Sequence, residues 1–198
     1  MLELRKSVII GLDLAGTSKN PTGWALWKNK RVIACRLQDD ESILQCLINC
    51  NPTLIAIDAP LSLPKEGMMR NVDKEMRKHG YPVFPPRLPA MEKLTLRAMK
   101  LTQKIIKEGF RVIEVHPAST RKALGIPAKD WTQIQTIFIQ MGLKGDPEVR
   151  ALTPHEIDAT TAALTGYLYL EGKTELIGDE EEGYIVVPMK TDWRTMRL

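Results

Sequence analysis

Cysteine is scarce in this chain: Cys35, Cys46 and Cys50 are the only three in 198 residues, and an odd number cannot all pair internally. Their spacing does not resemble a secreted disulfide framework, which excludes the small stapled folds and points to a reducing, cytoplasmic setting. Cys46 and Cys50 stand four apart, but no second Cys/His pair at zinc spacing follows, so they read as small buried hydrophobes. Also missing is any apolar run near the roughly twenty residues of a membrane span. The opening MLELRKSVIIGLDLAG has a charged start and an apolar continuation, yet Asp13 interrupts it short of a signal-peptide core. A soluble, unexported protein with no membrane partner is expected. Charge of one sign is lacking too: 28 Lys and Arg face 24 Asp and Glu, a net +4 that is compatible with nucleic acid without requiring it. No internal repeat or low-complexity tract is visible, which excludes solenoids.

What is present suits one domain spanning residues 1–198, long enough and, at 43% hydrophobic, apolar enough to bury a good core. SVIIGLDL reads as a strand buried on both faces, and TGWALW and RVIACRL follow as strands joined across Lys28, Asn29 and Lys30. DESILQCLINC has helical spacing with acidic residues at its entrance, and TLIAIDAPL is a second buried strand, parallel to the first. Residues 61–90 change character: five prolines surround one short charged helix, RNVDKEMRKHG, so a loop-rich insertion is expected. A helix from Met91 to Glu108 stops at Gly109, FRVIEVHPA supplies a short strand closed by Pro117, and Trp131 to Met141 is a further helix. TPHEIDATTAALTGYLYL opens with a capping box in which Thr153 is the N-cap and Glu156 the reciprocal acceptor. GDEEEG reads as a solvated acidic turn with no functional need, and GYIVVP as a last strand.

Two apolar strands that each end in a carboxylate call for an explanation. Asp13 and Asp58 occupy matching places on the carboxyl side of parallel neighbours, the edge where open α/β sheets place their ligands. Two like charges about 4.8 Å apart at the backbone raise one another's pKa or recruit a cation. A divalent metal is the simplest resolution. Asp158 offers a third ligand, because Ala159, Ala162, Ala163 and Gly166 let its helix approach the sheet closely. Glu114, near the end of FRVIEVHP, offers a fourth, with His116 two residues on and on the same strand face. Oxygen ligands in this number suit Mg²⁺ or Mn²⁺ better than zinc. Taken singly, a strand-end Asp is also a common turn residue, and an Asp early in a helix also complements the dipole.

Five stretches in order, GLDLAG (11–16), IAIDAPLSLP (55–64), RNVDKEMR (70–77), VIEVHPA (112–118) and HEIDATTAALTG (155–166), together with the closing GYIVVP, resemble the ribonuclease H-like superfamily. Within it they resemble the predicted nucleases of domain-of-unknown-function family four-two-nine. The resemblance covers nearly the whole chain. It implies an α/β fold built on a mixed five-stranded sheet, three strands antiparallel and then two parallel, flanked by helices. It also implies metal ligands at Asp13, Asp58 and Asp158, with Glu114 as a possible addition to the catalytic set. The activity it implies is metal-assisted phosphodiester hydrolysis with Mg²⁺ or Mn²⁺, one ion activating water and another steadying the leaving oxygen.

Substrate contacts are expected from Arg70 and Arg77, which flank Asp73 at i, i+3 and i+7, and from His116, His155 and Thr17. His155 stands three residues before Asp158, on the same helical face. Ion pairing on a solvated face explains the arginines equally well. Lys93, Arg97, Lys100, Lys104 and Lys107 make a basic stripe, the pattern of an ordinary solvated helix face or of a nucleic-acid contact. Trp24 and Trp27 fall on opposite strand faces, with Trp24 read as core. The small polar turn Gly16, Thr17, Ser18 also suits an actin-like or sugar-kinase nucleotide-binding lobe, but no second phosphate turn or glycine pair for adenosine follows. A non-catalytic nucleic-acid-binding module on the same scaffold is the third reading. Dimerisation is left open by the sequence.

Overall fold

The computed structural model describes residues 7–17 and 19–198, so the charged opening MLELRK and the part of Ser18 in the polar turn lie outside the described residues. β1 (Val8–Asp13), β2 (Thr22–Lys28) and β3 (Arg31–Leu37) form an antiparallel meander. Asn29 and Lys30 take φ of 49° and 61°, the left-handed pair a two-residue hairpin needs to match the twist of its strands. α1 (Asp40–Cys50) starts where the Asp39 carboxylate accepts the Ser42 N–H at 2.7 Å. It leads to β4 (Leu54–Asp58), parallel to β1. The insertion contributes one short helix, α2 (Asn71–Lys78). α3 (Pro89–Lys107) then leads to β5 (Val112–Val115), parallel to β4. These five strands have the expected order and directions.

The sheet is nevertheless larger than five. β6 (Lys144–Gly145), β7 (Thr174–Asp179) and β8 (Gly183–Pro188) extend it to eight strands in the order β6-β3-β2-β1-β4-β5-β8-β7. GYIVVP is the strand expected, parallel to β5, but it also pairs antiparallel with β7. In β7, TELIGD, only Ile177 is buried. A short edge strand has no hydrophobic alternation to announce it and exists through its partner. The GDEEEG turn is the loop of this hairpin, and it has a structural task after all: Glu182 is buried and accepts the backbone N–H of Lys65 at 2.8 Å and of Asn71 at 2.5 Å, tying down the insertion.

Four more helices complete the fold: α4 (Pro117–Ala123), α5 (Trp131–Gln140), α6 (Asp146–Val149) and α7 (Pro154–Leu170). Pro117 does more than close β5, because it is the first residue of α4, where a missing N–H costs nothing. The capping box of α7 forms as read, Thr153 N–H donating to Glu156 Oε2 at 2.8 Å and Glu156 N–H to Thr153 Oγ1 at 3.4 Å. The central strands β1 and β4 are buried on both faces. Ile10, Leu12, Trp24, Ile55 and Ile57 pack on Ile43 and Leu47 of α1 and Leu101 and Ile105 of α3. Ile9, Trp27 and Val32 pack on Phe138 of α5 and Ala159, Ala163 and Leu164 of α7. Two covered faces explain why β1 and β4 are continuous apolar runs. Among the described residues no helix is long and apolar enough to cross a membrane.

Candidate active site at the carboxyl edge of the sheet

Asp13 and Asp58 end β1 and β4 and are direct partners across the parallel ladder, so their side chains share a face. It is the face covered by α7. A Cβ added at Gly11, two residues before Asp13, would lie 2.0 Å from Ala159 O and 2.5 Å from Ala163 N, and one at Gly23, the β2 partner of Asp13, would lie 2.1 Å from His155 O. With glycine at both places α7 packs backbone against backbone, and its first turn stands over the end of β1. His155 Nδ1 is consequently 2.6 Å from Asp13 Oδ2. Asp158, three residues further along, is ion-paired with Nη1 of Arg121 from α4.

The electrostatics follow from this crowding. Burial pushes the Asp13 carboxyl up to about 6 from an ordinary 3.8, and the charge of Asp158 adds to it, while the hydrogen bond with His155 and the charges of His155 and Arg121 pull it back. Asp58 is raised well above the carboxylate range, first by burial and then by the charges of Asp13 and Asp158, with Arg121 opposing. Three aspartates far apart in sequence therefore repel one another across one site. Three carboxylates and an imidazole are the kind of donor set a hard divalent cation takes, and such a cation would relieve that repulsion. The set is not gathered for the purpose, however. Among the described residues no three His, Cys, Asp or Glu side chains close on a common point that could hold an ion. Asp13 is engaged by His155 and Asp158 by Arg121.

The other expected residues go elsewhere. Glu114 pairs with Ile57, one place before Asp58, so strand alternation sends it to the opposite face. There it is buried, accepting the Leu61 N–H at 2.8 Å and two bonds from Arg70, at 2.9 and 2.6 Å. The expectation that it joins the carboxylate cluster is corrected by that register. Arg70 is 1% exposed, and its guanidinium also bonds Asp73 at 3.1 and 2.8 Å, so it is an internal tie rather than an arginine offered to a phosphate. Arg77 donates to Val83 O at 3.2 and 3.1 Å and braces the insertion. His116 caps α4, its Nδ1 3.3 Å from the Ser119 N–H and 2.7 Å from Ser119 Oγ, and burial lowers its pKa to about 4, which keeps it neutral. Thr17 is exposed on the turn after β1, its carbonyl accepting the Asn20 N–H at 3.1 Å. Sequence reading missed Arg121. The signal was the stretch PASTRKA itself, a proline followed by good helix formers, which makes a helix of what was read only as a strand stop.

The comparisons agree with this architecture. T. thermophilus RuvC in complex with Holliday junction substrate superposes with a TM-score of 0.53 at 16% identity, over 84% of this chain and 96% of that one. A second Thermus thermophilus RuvC structure gives 0.50 at 17% identity, over 83% and 96%. At such identity the likeness establishes the fold, which is ribonuclease H-like. No curated protein sequence is significantly similar to the chain. The family model described as "Protein of unknown function (DUF429)" matches residues 11–183 and so takes in every site residue named above, and the chain belongs to that family.

Proposed function

We propose that this protein is a divalent-metal-dependent nuclease that hydrolyses phosphodiester bonds in nucleic acid at the site formed by Asp13, Asp58, Asp158 and His155. The observation that carries the reading is the register pairing of Asp13 with Asp58 at the carboxyl edge of the sheet beneath the first turn of α7, with the charge of Asp158 raising the proton affinity of both. The fold likeness to RuvC, one of whose structures holds a Holliday junction substrate, supports nucleic acid as the substrate class. Bound Mg²⁺ or Mn²⁺ would polarise the phosphoryl oxygens and make a water acidic enough to serve as nucleophile near neutral pH. Asp13, Asp58 and Asp158 are the residues that would hold it. His155 is half exposed and fixed by Asp13, so its imidazole can take or give a proton at the solvent side while the carboxylate orients the ring.

The test is a cleavage screen over single-stranded, duplex and branched nucleic acids with Mg²⁺ or Mn²⁺. Asp13→Asn is expected to lower the rate by roughly 100-fold or more while leaving the circular dichroism unchanged. Cleavage by the variant at the parent rate rejects the site. One observation favours a second reading, a nucleic-acid-binding module without chemistry: Asp13 and Asp158 already have a histidine and an arginine as partners. Calorimetry showing no Mn²⁺ binding, either to the free protein or to a nucleic-acid complex, would favour that module.

A further inference from the structure

Among the described residues Arg121 is the one cation buried among the acidic residues of the site, and the proposed chemistry gives it no task. It is 3% exposed. Nη1 bonds Asp158 and lies 3.4 Å from Thr161 Oγ1, the guanidinium carbon is 5.4 Å from the centre of the Trp131 ring, and Nε is buried with no hydrogen-bond partner. Its charge reaches beyond Asp158, lowering the proton affinities of both Asp13 and Asp58. An arginine cannot shed its proton to make room for another cation, so a divalent ion at Asp158 and a guanidinium bonded to the same carboxylate compete directly.

We propose that Arg121 is a resident counter-ion of the acidic cluster and yields Asp158 to an incoming divalent cation, so that the three aspartates close on an ion only once the guanidinium has moved. The proposal rests on the metal-site reading given above. Two features fit it. The described side chains do not gather three ligands at one point, and Asp158 is bonded to the buried Arg121. The guanidinium is also incompletely satisfied where it sits, since its buried Nε donates to nothing, although the Trp131 ring beside it holds part of its charge. A buried donor left unpaired is costly, which lowers the barrier to leaving. The device makes the protein a weak cation binder at rest and couples cation uptake to a side-chain movement next to Trp131.

Mn²⁺ binding to the full chain without nucleic acid tests this, with free Mn²⁺ followed by electron paramagnetic resonance. Arg121→Met keeps the length and removes the charge, and it is expected to bind Mn²⁺ roughly ten-fold more tightly than the parent, with the gain lost in the Arg121→Met, Asp158→Asn double variant. If the parent binds Mn²⁺ and Arg121→Met binds it equally or less well, Arg121 is a fixed support of Asp158 and the proposal is overturned. If neither binds at millimolar Mn²⁺, the metal-site reading itself falls, and the proposal with it. Should Arg121→Met fail to fold, the unaltered protein gives the answer. Mg²⁺ should change the emission of Trp131, assigned by its disappearance in Trp131→Phe, and the change should be absent in Asp158→Asn. Unchanged Trp131 emission with Mg²⁺ bound overturns the proposal.

Discussion

Asp13 joins three facts that no single neighbour explains: it ends a buried strand, faces another aspartate and is held by a histidine 142 positions away. Its folded pKa of about 6 lies above its ordinary 3.8, which fixes the sign of its contribution. A carboxyl that is easier to bury protonated adds stability below the ordinary value, and that stability is lost as the pH rises through about 6. Asp13→Asn keeps the shape and removes the charge. In the absence of divalent ions it is expected to gain ~1–3 kcal/mol in unfolding free energy at pH 7.5 and to gain little at pH 4, as read by urea denaturation. A loss of stability at pH 7.5 would mean that the bond to His155 outweighs the repulsion. The identity of such residues is plain in the sequence; their partners are not. Glu114 and Asp58 read alike as carboxylates near strand ends, and a one-residue difference in register sends the first into a buried ion cluster with Arg70 and leaves the second at the open edge.

α7 is the element that makes the site. Its start was legible because a capping box is written in adjacent residues, and its small face was legible from Ala159, Ala162, Ala163 and Gly166. The other half of that contact was not, since Gly11 and Gly23 lie in strands, where a glycine has no pattern of its own. Gly11→Ala tests the fit: the new methyl would stand 2.0 Å from a helix carbonyl, so α7 has to shift. The expected cost is about 2–4 kcal/mol, with weakened pairing of His155 to Asp13. Gly16→Ala is the matched control. Its nearest neighbour would be Leu94 Cβ at 3.8 Å, an ordinary contact, and denaturant unfolding should place that variant within about 1 kcal/mol of the parent. Equal stability of the two variants would mean that α7 does not need its close approach.

Taken together, the chain has too little net charge, +4, to hold nucleic acid by its overall field, so any binding must come from local placement. Beside Gly16 and Thr17, just past Asp13, lies a groove lined by Lys93, Leu96, Arg97, Lys100 and Asp40. The basic stripe read along this helix is divided by the fold. Arg97 is turned inward, donating to Asp40 at 2.7 Å and to Ala15 O at 2.5 Å, while Lys93 and Lys100 are exposed along the groove. If a phosphate backbone follows that groove, replacing Lys93 and Lys100 together by alanine should reduce the slope of log affinity against log salt on duplex DNA by roughly 1 to 2. An unchanged slope would place the nucleic acid elsewhere.

Residue order alone determined the strand-ending aspartates, the antiparallel start, the parallel continuation and the capped helix over them, because apolar periodicity, turn residues and caps act over a few neighbouring positions. The folded chain decided everything that depends on who meets whom: β6 and β7 as strands, Glu114 paired with Arg70 across 44 positions, and Asp158 held by Arg121 across 37. Those contacts are made between segments whose own patterns do not name each other. Register and close packing select them only when the whole sheet and its helices are in place.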